Sequence, residues 1–385
     1  MVTSPVSAVR YCTAVLAPSV EQRKTWRFRL YPTAAQRARL DGHLRLCGEL
    51  YNAAVQVRRD AWRTARVSIG FRQQSAQLPA IKAERPDVGD VYSQVLQDVL
   101  HRVDRAFGGF FARVRRGDRP GFPRFRSAQR FDSLTYPQLG FRVHGRHLHI
   151  AKIGPVKIKR HRPMEGRIKT LTIKREAGKW FACFSCDVAP QPLPPSTESI
   201  GLDVGLTHFA TLSDGTAIAN PRYARRAERQ MRRAQRRIAR RQKGSARRRK
   251  AVRLFQVAQA RVRHQRADVQ HKLSRRLVDR YGLIAVEDLN IKGLASGRLA
   301  KSVHDASWSS FIEKLAYKAE HAGRTLVKVD PRGTSQHCLC GAHVPKTLSQ
   351  RWHQCPACGL SAARDHMARR SFSGADCAFK TERGC

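Results

Sequence analysis

Acidic residues are scarce in this sequence. Its 385 residues hold 29 Asp and Glu against 74 Lys and Arg, a formal net charge of +45 with a pI near 11.3. A folded chain with that imbalance repels itself, so it belongs on a polyanion rather than free in solution or with a small-molecule substrate. Long apolar runs are missing as well, which argues against a transmembrane helix and makes a membrane surface the weaker alternative, so no membrane partner is expected. The opening stretch MVTSPVSAVRYCTAVLAPSV is broken by Pro5, Arg10 and Pro18 and lacks the n-region and h-region of a signal peptide. Residues 1–24 therefore read as a disordered extension, and the protein is expected in the cytoplasm. In that reducing compartment the ten cysteines are thiols or metal ligands, not disulfides, and the phosphate-rich partner is nucleic acid.

What is present falls into blocks. WRFRLYP (26–32) alternates Trp26, Phe28 and Leu30 with arginines, the pattern of a half-buried strand with a basic outer face. From Thr33 the period becomes helical, through Leu40, Leu44, Cys47, Tyr51, Ala54 and Val55 and again through Leu96, Val99, Leu100, Val103, Phe107 and Phe110. RRGDRPGFPRFRS (115–127) interleaves arginine, proline and phenylalanine. Positive charge beside aromatic faces suits phosphate and base contacts, with Arg124 and Arg126 the candidates. Alternating pairs at Leu148/Ile150, Val156/Ile158, Leu171/Ile173 and Trp180/Ala182/Phe184 then suggest a small antiparallel barrel that the 26–32 strand could join. The Pro-rich run APQPLPPSTES (189–199) reads as a linker.

Beyond the linker, IGLDVGLTHFATLSDG (200–215) reads as buried strands with Asp203 set between Leu202 and Val204. A carboxylate there must be paired, hydrogen-bonded or holding a metal. The Arg-rich segment from Arg222 reads as two helices broken at Gly244-Ser245. Like charges three or four apart cost a helix about 0.2–0.5 kcal/mol per pair, and few acids offset them. That one-signed face suits phosphate, with Arg232, Arg236, Arg240 and Arg247 as candidate contacts. GLIAVEDLN (282–290) is a short strand ending in Glu287, and Asp365 stands at the head of a helix expected to run to the C-terminus. The three acids could converge at a sheet edge and hold two divalent cations, Mg2+ or Mn2+, about 3.5–4 Å apart; singly, Asp203 could cap a turn and Asp365 a helix.

Cys355-Pro-Ala-Cys358 has the spacing of a zinc half-site. Its partner is either Cys338 with Cys340, one residue short of the usual spacing, or His337 with Cys340. CFSC (183–186) has the same spacing but lies in an expected strand, where an offset of three puts the two thiols on opposite faces.

In order and spacing, the stretches FRLYPTAAQ, LYNAA, PGFPRFRS, IGLDVGLTHFATLSDG, IAVEDLNIKGL, WSSFIEKLAYKAEHAG, VDPRGTSQHC and CPACGLSAARD resemble the TnpB (OrfB) family, the transposon-encoded RNA-guided nucleases related to type V CRISPR effectors. The resemblance runs from about residue 24 onward. It implies an α+β multi-domain architecture: a basic β-barrel (wedge) domain at 25–32 and 127–188, a helical recognition insert at 33–126, and an RNase H-like RuvC nuclease domain at 200–333 and 361–385. The nuclease carries the Arg-rich hairpin 222–280, and a zinc ribbon occupies 334–360.

It implies an Mg2+-dependent DNA endonuclease with Asp203, Glu287 and Asp365 as catalytic metal ligands. The implied partners are a guide RNA from the transposon end and target double-stranded DNA bearing a short adjacent motif. Tyr51 and Asn52 are implied contacts to that motif, and Arg332 joins the candidate nucleic-acid contacts. The sequence departs from the family at three places: Met367 stands where an asparagine is usual, Ala363 where an acid is frequent, and the first zinc half-site is CxC. An RNA-guided DNA-binding protein with little cleavage is the alternative; the three retained acids argue against it and Met367 for it. A transposase that joins ends is weaker, since the sequence offers no Tyr or Ser nucleophile motif.

Overall fold

The computed structural model describes residues 21–128, 130–330, 338, 340, 342–345 and 352–363. The chain divides between Val188 and Ala189 into two compact units, each with its own core. No helix among the described residues is long and apolar enough to cross a membrane.

The unit of residues 21–188 begins with β1 (Gln22–Tyr31), whose Trp26, Phe28 and Leu30 are buried while Arg27 and Arg29 face outward. The strand starts earlier than the 1–24 extension allowed. Gln22, Arg23 and Lys24 already pair with Val188, Asp187 and Cys186, and Lys24 reaches Glu165 at 3.0 Å. The chain then leaves the sheet for five helices, α1 (Ala34–Ala65), α2 (Phe71–Ala76), α3 (Leu78–Glu84), α4 (Pro86–Gly89) and α5 (Ser93–Arg115). A capping box between Thr33 and Gln36 starts α1, satisfying two backbone donors reciprocally. The apolar stripe of α1 packs on that of α5, burying Leu44, Cys47 and Tyr51 with Leu96, Val99 and Val103.

Six strands follow: β2 (Ser133–Tyr136), β3 (Phe141–His144), β4 (His147–Ile150), β5 (Gly154–Lys159), β6 (Arg167–Glu176) and β7 (Lys179–Val188). The seven strands form one antiparallel sheet in the order β2-β6-β7-β1-β5-β4-β3, curled into a nearly closed barrel with β1 at its centre. The expected barrel strands are all present, and β2 and β3 extend the sheet at its two edges. Cys183 is half-buried and Cys186 fully buried on alternate faces of β7.

The second unit holds β8 (Ser199–Val204), β9 (His208–Leu212), β10 (Ala217–Ala219), α6 (Tyr223–Ala239), α7 (Ala246–Arg280), β11 (Leu283–Glu287), α8 (Ile291–Leu294), α9 (Ala300–Ala306), α10 (Trp308–His321) and β12 (Thr325–Val329). Its sheet order is β10-β9-β8-β11-β12. β8, β9 and β10 form an antiparallel meander, whereas β8, β11 and β12 run parallel. Each parallel step crosses over through helices, because parallel strands cannot be joined by a tight turn. Residues 189–199 run along this unit, with Gln191 and Leu193 donating backbone hydrogen bonds to His321 and Ala322. Gly282, at the entry to β11, is required by close approach: a Cβ there would lie 1.9 Å from the Ser196 carbonyl oxygen. A small ribbon, β13 (Trp352–Gln354) antiparallel to β14 (Ser361–Ala363), carries Cys355 and Cys358 in its turn. The helix expected from Asp365 lies outside the described residues.

Candidate functional site

Alternation places Leu202 and Val204 of β8 in the core and leaves Asp203 half-buried on the other face. On β11, Ile284, Ala285 and Val286 are buried and Glu287 is the last residue. The parallel register pairs Leu202 with Val286, so the next step sets Asp203 and Glu287 level, at the C-terminal ends of adjacent strands. Across the other edge of β8, Asp203 stands opposite the buried Thr211. Burial, and then the neighbouring Asp203 carboxylate, push Glu287 up to about 7. Two carboxylates so placed repel each other when both are ionised, a cost that a cation between them removes.

The surrounding loops are held by residues that sequence patterns did not single out. Asn220 Nδ2 and Arg222 both donate to the Leu206 carbonyl, at 3.0 and 3.3 Å, fixing the turn that follows Val204. Asp288, next to Glu287, is exposed and pairs with Lys328 at 3.1 Å. Asp365 lies outside the described residues, as do Arg332 and His337.

α6 buries none of its side chains, and its arginines Arg232 and Arg236 line a shallow cleft of about 630 Å³. Arg232 pairs with Glu228, which also holds Lys301. Arg236, Arg240 and Arg247 are exposed. The break between α6 and α7 follows local chemistry: Gly244 takes a left-handed φ of 84°, and Ser245 caps α7 by accepting from the Arg248 N–H. Arg248 then clasps the turn, donating to the carbonyls of Ile238 and Arg241. At the other end, Arg222 supplies no side-chain cap, and Asp305 of α9 does so instead, accepting from the N–H groups of Ala224 and Arg225 at 2.8 and 3.1 Å.

The thiol sulfurs of Cys338, Cys340, Cys355 and Cys358 all lie within 4.8 Å of one another. Two of the separations are 3.5 and 3.6 Å, far longer than a disulfide and close to the roughly 3.8 Å edge of a tetrahedron with 2.3 Å Zn–S bonds. The turns that present them are held by backbone bonds from Cys338 to Ala342 and from Cys355 to Leu360. This donor set, with Cys338 and Cys340 as its first half, could hold a zinc ion.

In the first unit, Tyr51 is only 2% exposed, packed in the core beneath the guanidinium of Arg126. Asn52 uses both amide atoms on the backbone of Arg126, donating to its carbonyl at 2.9 Å and accepting from its N–H at 2.8 Å. These two residues support the 121–126 loop instead of standing free on the surface. Arg124 is exposed and Arg126 half-buried.

Two family models match the chain: one described as a probable transposase (OrfB_IS605) over residues 183–298, and a Cas12f1-like TNB domain over 308–371. A putative RNA-guided DNA endonuclease of Streptomyces pristinaespiralis is 34% identical over 92% of this chain and 89% of its own length. The putative RNA-guided DNA endonuclease InsQ of Escherichia coli K12 is 26% identical over 92% of this chain and 93% of its own. Among solved structures, a Cas12f1 chain from a complex with sgRNA and target DNA superposes with a TM-score of 0.57 at 11% identity, covering 92% of this chain and 99% of that one. That likeness extends to the fold of nearly the whole molecule. The protein belongs to the TnpB (OrfB) family of transposon-encoded RNA-guided nucleases.

Proposed function

We propose that the protein is an RNA-guided endonuclease that cuts double-stranded DNA beside a short adjacent motif, using a RuvC-type site built on Asp203, Glu287 and Asp365. The observation that carries this reading is the pair of level carboxylates at the ends of β8 and β11, one of them pushed up to about 7. The donor set fits a hard divalent cation such as Mg2+ or Mn2+, since both groups offer oxygen. Divalent cations, when bound, supply charge stabilisation to the attacking and leaving oxygens of the phosphodiester.

The chain's own contribution is to hold the two strand-end carboxylates at fixed spacing and to keep the turn after Val204 in place through Asn220 and Arg222. Glu287 must give up its proton before it can act as a ligand. The four cysteines form the zinc ribbon of 334–360, and the α6–α7 hairpin lays its arginines along nucleic-acid backbone. Residues 25–32 and 127–188 act as the wedge and 33–126 as the recognition insert. Base pairing with a guide RNA from the transposon end supplies sequence specificity, while the protein reads backbone and the adjacent motif.

The test is single-turnover cutting by the purified protein–RNA complex in Mg2+. Asp203→Ala and Glu287→Gln are each expected to lower the rate by about 10²–10³ while leaving guided DNA binding intact, the order of loss seen when a charge-stabilising group is removed. Unchanged cutting in both variants would reject the site.

A further inference from the structure

The first unit contains a groove beside the loop whose arginines and phenylalanines the sequence marks for phosphate and base contacts. It runs between the C-terminal half of α5 and the 121–126 loop, encloses about 570 Å³, and is lined by five arginines and no acid. The loop is fixed on three sides. Asn52 holds the Arg126 backbone, Arg113 donates to the Gly121 carbonyl at 3.1 Å, and Phe122 wedges edge-on against Phe107 and Phe110 with ring centroids 5.5 Å apart in both pairs. Phe125 has no such employment. It lines the groove 48% exposed, and among the described residues its ring stacks on no other. On the α5 side the wall is low, because Gly109 carries no side chain and a Cβ there would meet nothing within 4 Å.

We infer that this groove is a subsite for one unpaired nucleotide, with its base stacked on Phe125 and its phosphate held by the flanking arginines, Arg124 and Arg130 foremost. An exposed aromatic face in a pre-fixed loop is costly in water and useful against a planar π-face. Bases inside a duplex are already stacked on their neighbours, so the occupant is a base that pairing has left out. Arg124 and Arg130 match the phosphate, Arg105 being already paired with Asp98 and Arg113 bound to the Gly121 carbonyl, and the open α5 wall leaves room for the ring's thickness. The groove volume falls within the range of about 300–1,000 Å³ of small-ligand clefts. The inference deepens the nucleic-acid reading above and rests on it.

The test uses the full-length protein and three fluorescent probes: an unstructured 20-nucleotide oligo(rA), the matching oligo(dA), and a 20-base-pair DNA duplex. Salt is set high enough to damp the phosphate term. Phe125→Ala is expected to weaken single-strand binding about 5- to 100-fold, the range for losing one base–aromatic stack, with Phe125→Trp near wild type and duplex binding changed less than twofold. Gly109→Leu, which fills the groove while favouring the helix, is expected to reproduce the single-strand loss. Preference for oligo(rA) over oligo(dA) would identify the nucleotide as RNA, and the reverse as DNA. Unchanged single-strand binding in both variants, or equal losses for single strand and duplex, would overturn the subsite. Absence of nucleic-acid binding by the wild-type protein would instead overturn the reading on which the subsite rests.

Discussion

Glu287 has an ordinary carboxyl value of 4.5 and is held near 7 in the folded chain, by burial first and by Asp203 second. Between those two pH values the folded state keeps a proton that the unfolded chain has lost. The group therefore favours the metal-free fold below about pH 4.5, and that contribution is lost as the pH rises through 7. The difference is about 3–4 kcal/mol at roughly 1.4 kcal/mol per unit. Metal-free Glu287→Gln, which cannot ionise, is expected to gain on wild type by an amount approaching that figure between pH 4.5 and 7.5. Urea titrations at several pH values check it, and a constant gap between the two proteins would refute the coupling. Gly282 is a second residue on which the site depends, since a Cβ there meets the Ser196 carbonyl. Gly282→Ala is expected to cost about 1–3 kcal/mol by forcing β11 away from the 196–198 segment, read as a lower midpoint in thermal unfolding. The strand positions of Asp203 and Glu287 were legible in the sequence, because each interrupts or ends an apolar alternation. Their being level was not, because it depends on a parallel register between strands separated by two helices.

At the scale of elements, the Arg-rich helix α6 is the piece with the least to hold it. It buries no side chain, its like charges oppose one another, and its N-terminus depends on Asp305 and on the Glu228–Lys301 pair. Asp305→Ala is expected to destabilise α6 by about 1 kcal/mol, the usual cost of a lost N-cap. Amide hydrogen exchange should show faster exchange in the first turns of α6, with α10 and the sheet unchanged; equal protection in both proteins would count against the cap. The two helices and their break at Gly244-Ser245 were readable, since glycine and an N-capping serine are local signals. Asp305 was not, because a cap supplied from another helix leaves no trace in the capped segment. The strand β10 was missed for a related reason: three residues are too few to establish a period.

The molecule as a whole is a +45 chain arranged as two units, one around a curled antiparallel sheet and one around a mixed sheet with its acids at the strand ends. Such a surface binds nucleic acid largely through phosphate. Affinity for guide RNA is expected to fall by about 10³–10⁵ between 50 and 200 mM salt if some 6–10 phosphates are neutralised. A flat salt response in a filter-binding series would contradict every nucleic-acid role assigned above. The charge and the order of the motifs were legible at this scale, and they carried the family assignment. The groove beside Phe125 was not, since it needed the folded loop to show which phenylalanine packs its ring on others and which leaves its ring unstacked.

The central claim is that the RNA, not the protein, chooses where the DNA is cut. The most direct measurement is cleavage of two plasmids, each carrying the same adjacent motif before a different target, by the protein assembled in Mg2+ with RNA guides matching one target or the other. The account predicts that each guide directs cutting of its own plasmid only, and that Asp203→Ala binds both guided targets but cuts neither. Cutting that ignores the guide, or that persists in Asp203→Ala, would contradict it.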